Sequence, residues 1–181
     1  MRRFTRVALA AAAALTIALG GTRAAFAHLS EGAAAPEFTA QAAQGGTVTD
    51  FDLKAALAKG PVVLYFFPKS FSSGCTIEAH MFSDNIAKYT ALHATVIGVS
   101  GDDIDTQKRF STEACRSTFR VVSDPGLKIA GMYQAKILGL YADRTSYVIA
   151  PDGKIALSYT NLDASDHVNR TLAALKTLEA K

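Results

Sequence analysis

Val62-Val63-Leu64-Tyr65-Phe66-Phe67-Pro68-Lys69-Ser70-Phe71-Ser72-Ser73-Gly74-Cys75 is the stretch that decides the fold. From Val62 to Phe67 every residue is β-branched, aromatic or leucine, with no polar alternation. A strand with one wet face alternates with period two, so this run reads as a central strand buried on both faces. Pro68 cannot donate to a ladder and ends the strand. A short polar loop follows, and Cys75 then falls in the first turn of a helix predicted over Ser72–Tyr89. Ile77, Met81, Phe82, Ile86 and Tyr89 recur there near one face at helical spacing. A helix start presents unpaired N–H groups and the positive end of the macrodipole, which together stabilise a thiolate. Ser72, three residues before Cys75, carries a hydroxyl able to reach the sulfur or a bound oxygen.

On the N-terminal side, Pro36–Ala40 reads as a short first strand. Gln44-Gly45-Gly46-Thr47 is a turn, Val48–Leu53 a second strand, and Leu53–Ala58 a short helix stopped by Gly60-Pro61. On the C-terminal side, Thr95–Ser100 is a second apolar strand. Asp105–Ala114 is a polar helix expected to lie on the surface, with the Asp102, Asp103 and Asp105 charges clustered at its start. Val121-Val122 and Leu127–Tyr133 read as a short strand and a short helix. Tyr147–Ala150 and Ile155–Tyr159 flank Pro151-Asp152-Gly153 as a hairpin. Ala164–Ala180 is a closing helix with Val168, Leu172, Leu175 and Leu178 on one stripe. Strands alternating with helices, then a hairpin and a last helix, predict an α/β thioredoxin-like fold, with a central mixed β-sheet flanked by helices.

Residues 1–27 read as a separate segment. A basic start with Arg2, Arg3 and Arg6 precedes the apolar run Val7–Gly20, and Ala25-Phe26-Ala27 has the small-x-small form of a cleavage site. That order is a secretory signal peptide. The apolar run is short for a membrane span of ~20 residues. Two units are therefore expected: a signal peptide over 1–27 and one globular domain over 28–181, periplasmic or secreted, with no membrane attachment after cleavage. The 181-residue chain carries 19 basic and 16 acidic side chains; four of the basic and none of the acidic ones lie in 1–27, which leaves the domain at net −1. Nucleic-acid binding, which rests on a basic patch, is not expected.

The chain has two cysteines, Cys75 and Cys115. The run Pro68-x-x-x-Ser72-x-x-Cys75 resembles the peroxiredoxin signature. The wider run Val62–Lys69, followed by Gly74-Cys75-Thr76-x-Glu78, is similar to the bacterioferritin-comigratory, or Q, branch of that family. Arg144-Thr145-Ser146-Tyr147-Val148-Ile149-x-Pro151-Asp152-Gly153-Lys154-Ile155 resembles the segment in which the family carries its active-site arginine. Val96–Asp102 and Ser123-Asp124-Pro125 also fit, so the resemblance runs from about Pro36 to the C-terminus.

The resemblance implies a thioredoxin-dependent peroxidase with no cofactor and no metal. Cys75 is the implied peroxidatic thiolate, attacking hydrogen peroxide or organic hydroperoxides. Arg144 would hold the thiolate and polarise the O–O bond. Ser72 and the N–H groups at Gly74 and Cys75 would bind peroxide oxygens, Pro68 would close the pocket, and Glu78 would orient Arg144. The branch commonly has a resolving cysteine five residues after the peroxidatic one, but His80 stands there. Cys115, near the end of the polar helix, is the remaining candidate. A Cys75–Cys115 disulfide would be reduced by a thioredoxin-like protein or a small thiol, and the protein is expected to be a monomer or weak dimer.

Two rival readings stay open on the residues alone. Cys75 and Cys115 could form a structural staple closing a long loop, worth about 4 kcal/mol in the chain-entropy model. An exported thioredoxin-fold protein could also handle copper or thiols, with Cys75, His80 or His28 as ligands. No Cys-x-x-Cys motif is present, and the histidines read as solvated or partly packed side chains.

Overall fold

The computed structural model describes residues 28–180, and residues 1–27, the expected signal peptide, lie outside the described part. The chain runs β1 (Thr39–Gln44), β2 (Thr47–Asp52), α1 (Leu53–Leu57), β3 (Val62–Phe66), α2 (Ser73–Asp84), α3 (Ile86–Ala91), β4 (Thr95–Ser100) and α4 (Ile104–Glu113). It continues with β5 (Arg120–Ser123), α5 (Lys128–Met132), β6 (Lys136–Ile137), β7 (Tyr141–Ala142), β8 (Thr145–Ile149), β9 (Ile155–Thr160), a 3-10 turn at Ala164–Asp166 and α6 (His167–Glu179). The main sheet has seven strands in the order β2-β1-β5-β4-β3-β8-β9, and β6 pairs with β7 as a separate small ribbon.

β3 is central and fully buried, as its unbroken apolar run demands. It runs parallel to β4 and antiparallel to β8, and β4 runs parallel to β5. The parallel pairs need crossovers, which α2–α3 and α4 supply. The strand's alternation sorts its residues into two core layers. Val62, Leu64 and Phe66 pack with α1, α5 and Tyr147. Val63, Tyr65 and Phe67 face the other way, among Cys75, Phe82, Phe110, Cys115, Val168 and Leu172. In that second layer the Tyr65 and Phe82 rings stack at 4.4 Å and 19°. Gly98 on β4 admits the Tyr65 ring, since a Cβ there would stand 2.9 Å from the phenol oxygen.

The sequence-based fold class holds, and so do the strands β3 and β4, the β8–β9 hairpin and the closing helix. Three local expectations do not. The helix predicted over Ser72–Tyr89 is two helices, because Asn85 adopts a non-helical conformation and its amide side chain bonds the Met81 carbonyl at 2.9 Å. The buried face of α2 is Cys75, Glu78, Ala79, Phe82 and Ser83; Ile77, expected inside, is 56% exposed. The first strand begins at Thr39, three residues later than expected, pairing Thr39 with Asp52 across the Gly45-Gly46 turn.

Candidate active site

Cys75 sits where the sequence puts it, in the first turn of α2, but its surroundings are assembled from four separate elements. The loop Pro68–Ser72 leads from β3 into the helix. It is anchored from below by Asp102, whose Oδ2 accepts from the Ser70 N–H at 2.7 Å and from the Ser100 hydroxyl at 2.7 Å. Buried Gln107 completes the tie, donating to Ser100 Oγ at 2.7 Å. Asp102 is thus the post under the active-site loop, and Asp103 alone caps α4, accepting from the Thr106 N–H at 2.7 Å. Ser72 occupies the cap position of α2 yet makes no side-chain cap bond, so the N–H groups of the first turn stay free for another acceptor. Its hydroxyl is exposed and donates to the Lys69 carbonyl at 3.0 Å. The structure therefore does not bring the Ser72 hydroxyl onto the sulfur. Pro68 stands half-buried at the end of β3.

Arg144 immediately precedes β8, and the β3–β8 register pairs Phe66 with Thr145. That register lays Arg144 beside the end of β3, where the loop to Cys75 departs. Its backbone is fixed by an N–H to Asp143 Oδ1 at 2.7 Å and by the Asn161 N–H on its carbonyl at 3.2 Å. Arg144 Nη2 then donates to Cys75 Sγ at 3.4 Å, and Nη1 donates to Glu78 Oε2. Gly74 makes room for the guanidinium: a Cβ there would stand 3.2 Å from Nη2. Cys75, Glu78 and Arg144 are all buried. Burial works against the charge on Arg144, but Glu78 and Cys75 more than offset it, so the guanidinium is held charged. Burial pushes the Glu78 carboxyl up to about 8, against the opposing pull of Arg144. The arrangement offers a sulfur at a helix start, free N–H donors and a fixed cation, which suits nucleophilic attack with charge developing on a leaving oxygen.

The sequence matches the AhpC/TSA family over residues 32–158, most of the described chain. The chain belongs to the AhpC/TSA family. It is a peroxiredoxin, a thiol-dependent peroxidase, with the thioredoxin-like fold of that family. The chain is 34% identical over 156 residues to the chloroplastic peroxiredoxin Q of Populus jackii, covering 84% of this chain and 71% of that protein. It is 35% identical over 154 residues to the chloroplastic peroxiredoxin Q of Arabidopsis thaliana, covering 83% and 69%. Among solved structures, the peroxidoxin BcpB of Mycobacterium tuberculosis superposes with a TM-score of 0.75 at 28% identity, covering 83% of this chain and 99% of that one. The periplasmic or secreted location expected from residues 1–27 does not stand against these relatives, which are chloroplastic proteins.

In this peroxiredoxin the second cysteine departs furthest from expectation. The sequence puts Cys115 near the end of a polar helix expected to lie on the surface. It lies two residues past α4 and is fully buried, in the same core layer as Phe82, Phe110 and Phe119. Its carbonyl accepts from Ser83 and Thr118 hydroxyls at 2.8 Å each, and its N–H donates to the Phe110 carbonyl at 3.0 Å. Burial alone raises its thiol well above the ordinary range. The polar sequence of α4 conceals this, because Phe110 is its one large buried apolar residue and the rest of the packing comes from α2 and the α4–β5 connection. Both cysteines are free thiols. His167 is likewise fully buried, against Ser146 and Glu78, where the sequence read a solvated or partly packed histidine. No local signal marks it. Only the docking of α6 across β8 brings it to the site. His28 lies beside Asp143 at 3.6 Å, and among the described residues no cluster of three or more His, Cys, Asp or Glu forms a metal-binding set.

Proposed function

We propose that Cys75 is the peroxidatic cysteine and that Arg144 and the first-turn N–H groups of α2 are its oxygen-binding partners. The Arg144 Nη2–Cys75 Sγ contact of 3.4 Å, with Glu78 bracing the same guanidinium, carries this reading. The thiolate attacks the terminal oxygen of hydrogen peroxide or an organic hydroperoxide. An S–O bond forms as the O–O bond breaks, the sulfur becomes a sulfenic acid, and the leaving alkoxide or hydroxide takes up a proton. Arg144 stabilises that leaving oxygen, Pro68 closes the pocket, and Gly74 keeps the approach open. Ser72 joins the peroxide contacts by rotating its hydroxyl away from the Lys69 carbonyl.

Cys115 then resolves the sulfenic acid, releasing water and forming a Cys75–Cys115 disulfide. Because Cys115 is fully buried, this step requires local unfolding of the turn after α4 as well as of the first turn of α2. A thioredoxin-like protein or a small thiol reduces the disulfide, and the enzyme works as a monomer or weak dimer. The working domain is 28–181, with residues 1–27 removed; an intact-mass measurement starting at His28 is the expected result. The burial of Cys115 favours one alternative, direct attack by an external thiol on the Cys75 sulfenic acid. Disulfide mapping after one equivalent of peroxide separates the two. A Cys75–Cys115 bond supports resolution by Cys115, and a free Cys115 beside an oxidised Cys75 supports the external thiol. Loss of peroxide consumption in C75S tests the whole reading.

A further inference from the structure

The turn that carries Cys115 is strained and is held shut from two sides. Arg116 and Ser117, the two residues after the cysteine, both have left-handed backbones, with φ 49° and 61°. Neither is a glycine, and such a conformation persists only where the surroundings hold it. One hold is the β1–β2 turn. Gln44 Nε2 donates to the Ser117 carbonyl at 3.0 Å, and the Gly46 N–H donates to Ser111 Oγ at 3.1 Å. The Ser117 N–H donates to the Ser111 carbonyl at 2.9 Å. Gly45 lets the two turns meet, since a Cβ there would stand 3.2 Å from Ser117 Oγ. The other hold is the end of α2. The buried Ser83 hydroxyl donates to the Cys115 carbonyl at 2.8 Å and lies 2.8 Å from Thr118 Oγ1. Asp84, the last residue of α2, accepts from the Arg116 guanidinium. The helix that carries Cys75 in its first turn therefore grips Cys115, Arg116 and Thr118 with its last two residues.

We propose that Ser83 and Asp84 are positioning residues for Cys115: they latch its strained turn shut, and release of the latch sets how fast Cys115 reaches the Cys75 sulfenic acid. The proposal rests on the reading of Cys115 as the resolving thiol. With the latch closed, the Cys115 side chain is packed in the core with Phe82, Phe110 and Phe119. Opening the turn undoes the Ser83 and Asp84 contacts, and it also frees Arg116 and Ser117 from their left-handed backbones, which offsets part of that cost. The Ser83 bond is buried and is the stronger half of the latch, while the Asp84–Arg116 pair is exposed and weaker. Once open, the Cys115 sulfur attacks the sulfenic sulfur of Cys75. An S–S bond forms as the S–O bond breaks, and the thiol proton leaves with the hydroxyl as water. The latch thereby sets a contest. While it is closed, a second peroxide can carry the waiting sulfenic acid to sulfinic acid, and when it opens the disulfide forms first. A tighter latch gives a more easily over-oxidised enzyme, and a looser one a more resistant enzyme.

The test first reads the opening of the turn without any peroxide. In the C75S chain Cys115 is the one remaining thiol, and its rate of labelling by N-ethylmaleimide follows the population of the open turn. S83A is expected to raise that rate about 10-fold. Alanine is the better helix former, so a faster rate in S83A reports the latch and not a looser α2. D84N keeps the shape of the side chain and removes its charge, and is expected to raise the rate about 2-fold. S117G relieves the strain while keeping the backbone bonds of the turn, and is expected to lower the rate about 3-fold. The same substitutions in the chain with both cysteines should move disulfide formation after one equivalent of peroxide in the same order, and sulfinic acid at Cys75 under excess peroxide in the opposite order. Labelling unchanged in both S83A and D84N, or faster in S117G, overturns the proposal. So does a Cys75–Cys115 disulfide that forms at one rate in all the variants while their labelling differs. Should S83A fail to fold, D84N and S117G decide by the opposite signs of their effects. Labelling that follows the latch in chains that never form a Cys75–Cys115 bond would overturn the resolving reading instead.

Discussion

Cys75 and Cys115 occupy the same core layer, are buried to nearly the same degree, and are set up for opposite chemistry. Around Cys75 the buried space contains a guanidinium and the open N–H groups of a helix start. Around Cys115 it contains Phe82, Phe110 and Phe119, and the polar bonds there go to its backbone rather than its sulfur. Burial disfavours a thiolate at Cys115, since it removes water from the charge. Only at Cys75 do fixed donors replace that water. On the reading proposed for Cys75, reactivity follows which polar groups are buried with the sulfur, and not how deeply the sulfur is buried.

The most severe way to break the comparison is to remove the first sulfur. C75S should lose peroxide consumption entirely in a stopped-flow or coupled assay, while C115S should retain the first oxidation within roughly 2-fold. If C75S still turns over, the two cysteines have been assigned the wrong way round. Removing the donor rather than the nucleophile should cost less. R144K keeps a charge but cannot place one nitrogen on Cys75 and another on Glu78, so a fall of about 100-fold in the rate with peroxide is expected. The Cys115 side should then show in turnover. C115S is expected to lose about 10-fold in thioredoxin-supported cycling, and to accumulate sulfenic acid at Cys75 detectable by dimedone labelling.

The smallest effect sharpens the electrostatic half of the comparison. The Glu78 carboxyl is raised from 4.5 to about 8 in the folded protein. Between those values the folded state holds a proton that the unfolded state has released, so this group's contribution to stability is present at low pH and lost as pH rises towards 8. A wild-type melting temperature should therefore fall more steeply from pH 5 to pH 8 than that of E78Q. A difference of roughly 3 °C or more is expected by thermal denaturation at matched ionic strength. Parallel curves would mean that Glu78 is ionised throughout.

Much of this was legible along the chain because it is local. The apolar run Val62–Phe67 and the proline after it mark the central strand, and a short polar loop then sets Cys75 at a helix start. The turn Gln44–Thr47 and the hairpin around Pro151-Asp152-Gly153 were legible for the same reason, since φ-permissive residues act where they stand. Other elements were not. Asn85 splits a helix without any Gly or Pro to announce it. The ribbon β6–β7 has two residues per strand, too few for a period to show. Asp102 sits in a cluster of acids that reads as a helix start, and its grip on the Ser70 N–H appears only when β4 and the active-site loop are side by side.

The sequence by itself determined the fold class and the position of Cys75 at the start of α2 and, through a family resemblance, it pointed to Arg144. Propensity, periodicity and proline act over a few residues, and a motif is read in the same span. The tertiary structure decided the rest. It brought Arg144 onto a sulfur 69 residues away through the β3–β8 register. It turned Glu78 and His167 towards each other by docking α6 across the sheet, and it closed the core over Cys115. Each of these depends on which surfaces are removed from water together, a property of packed elements that no local stretch of sequence encodes.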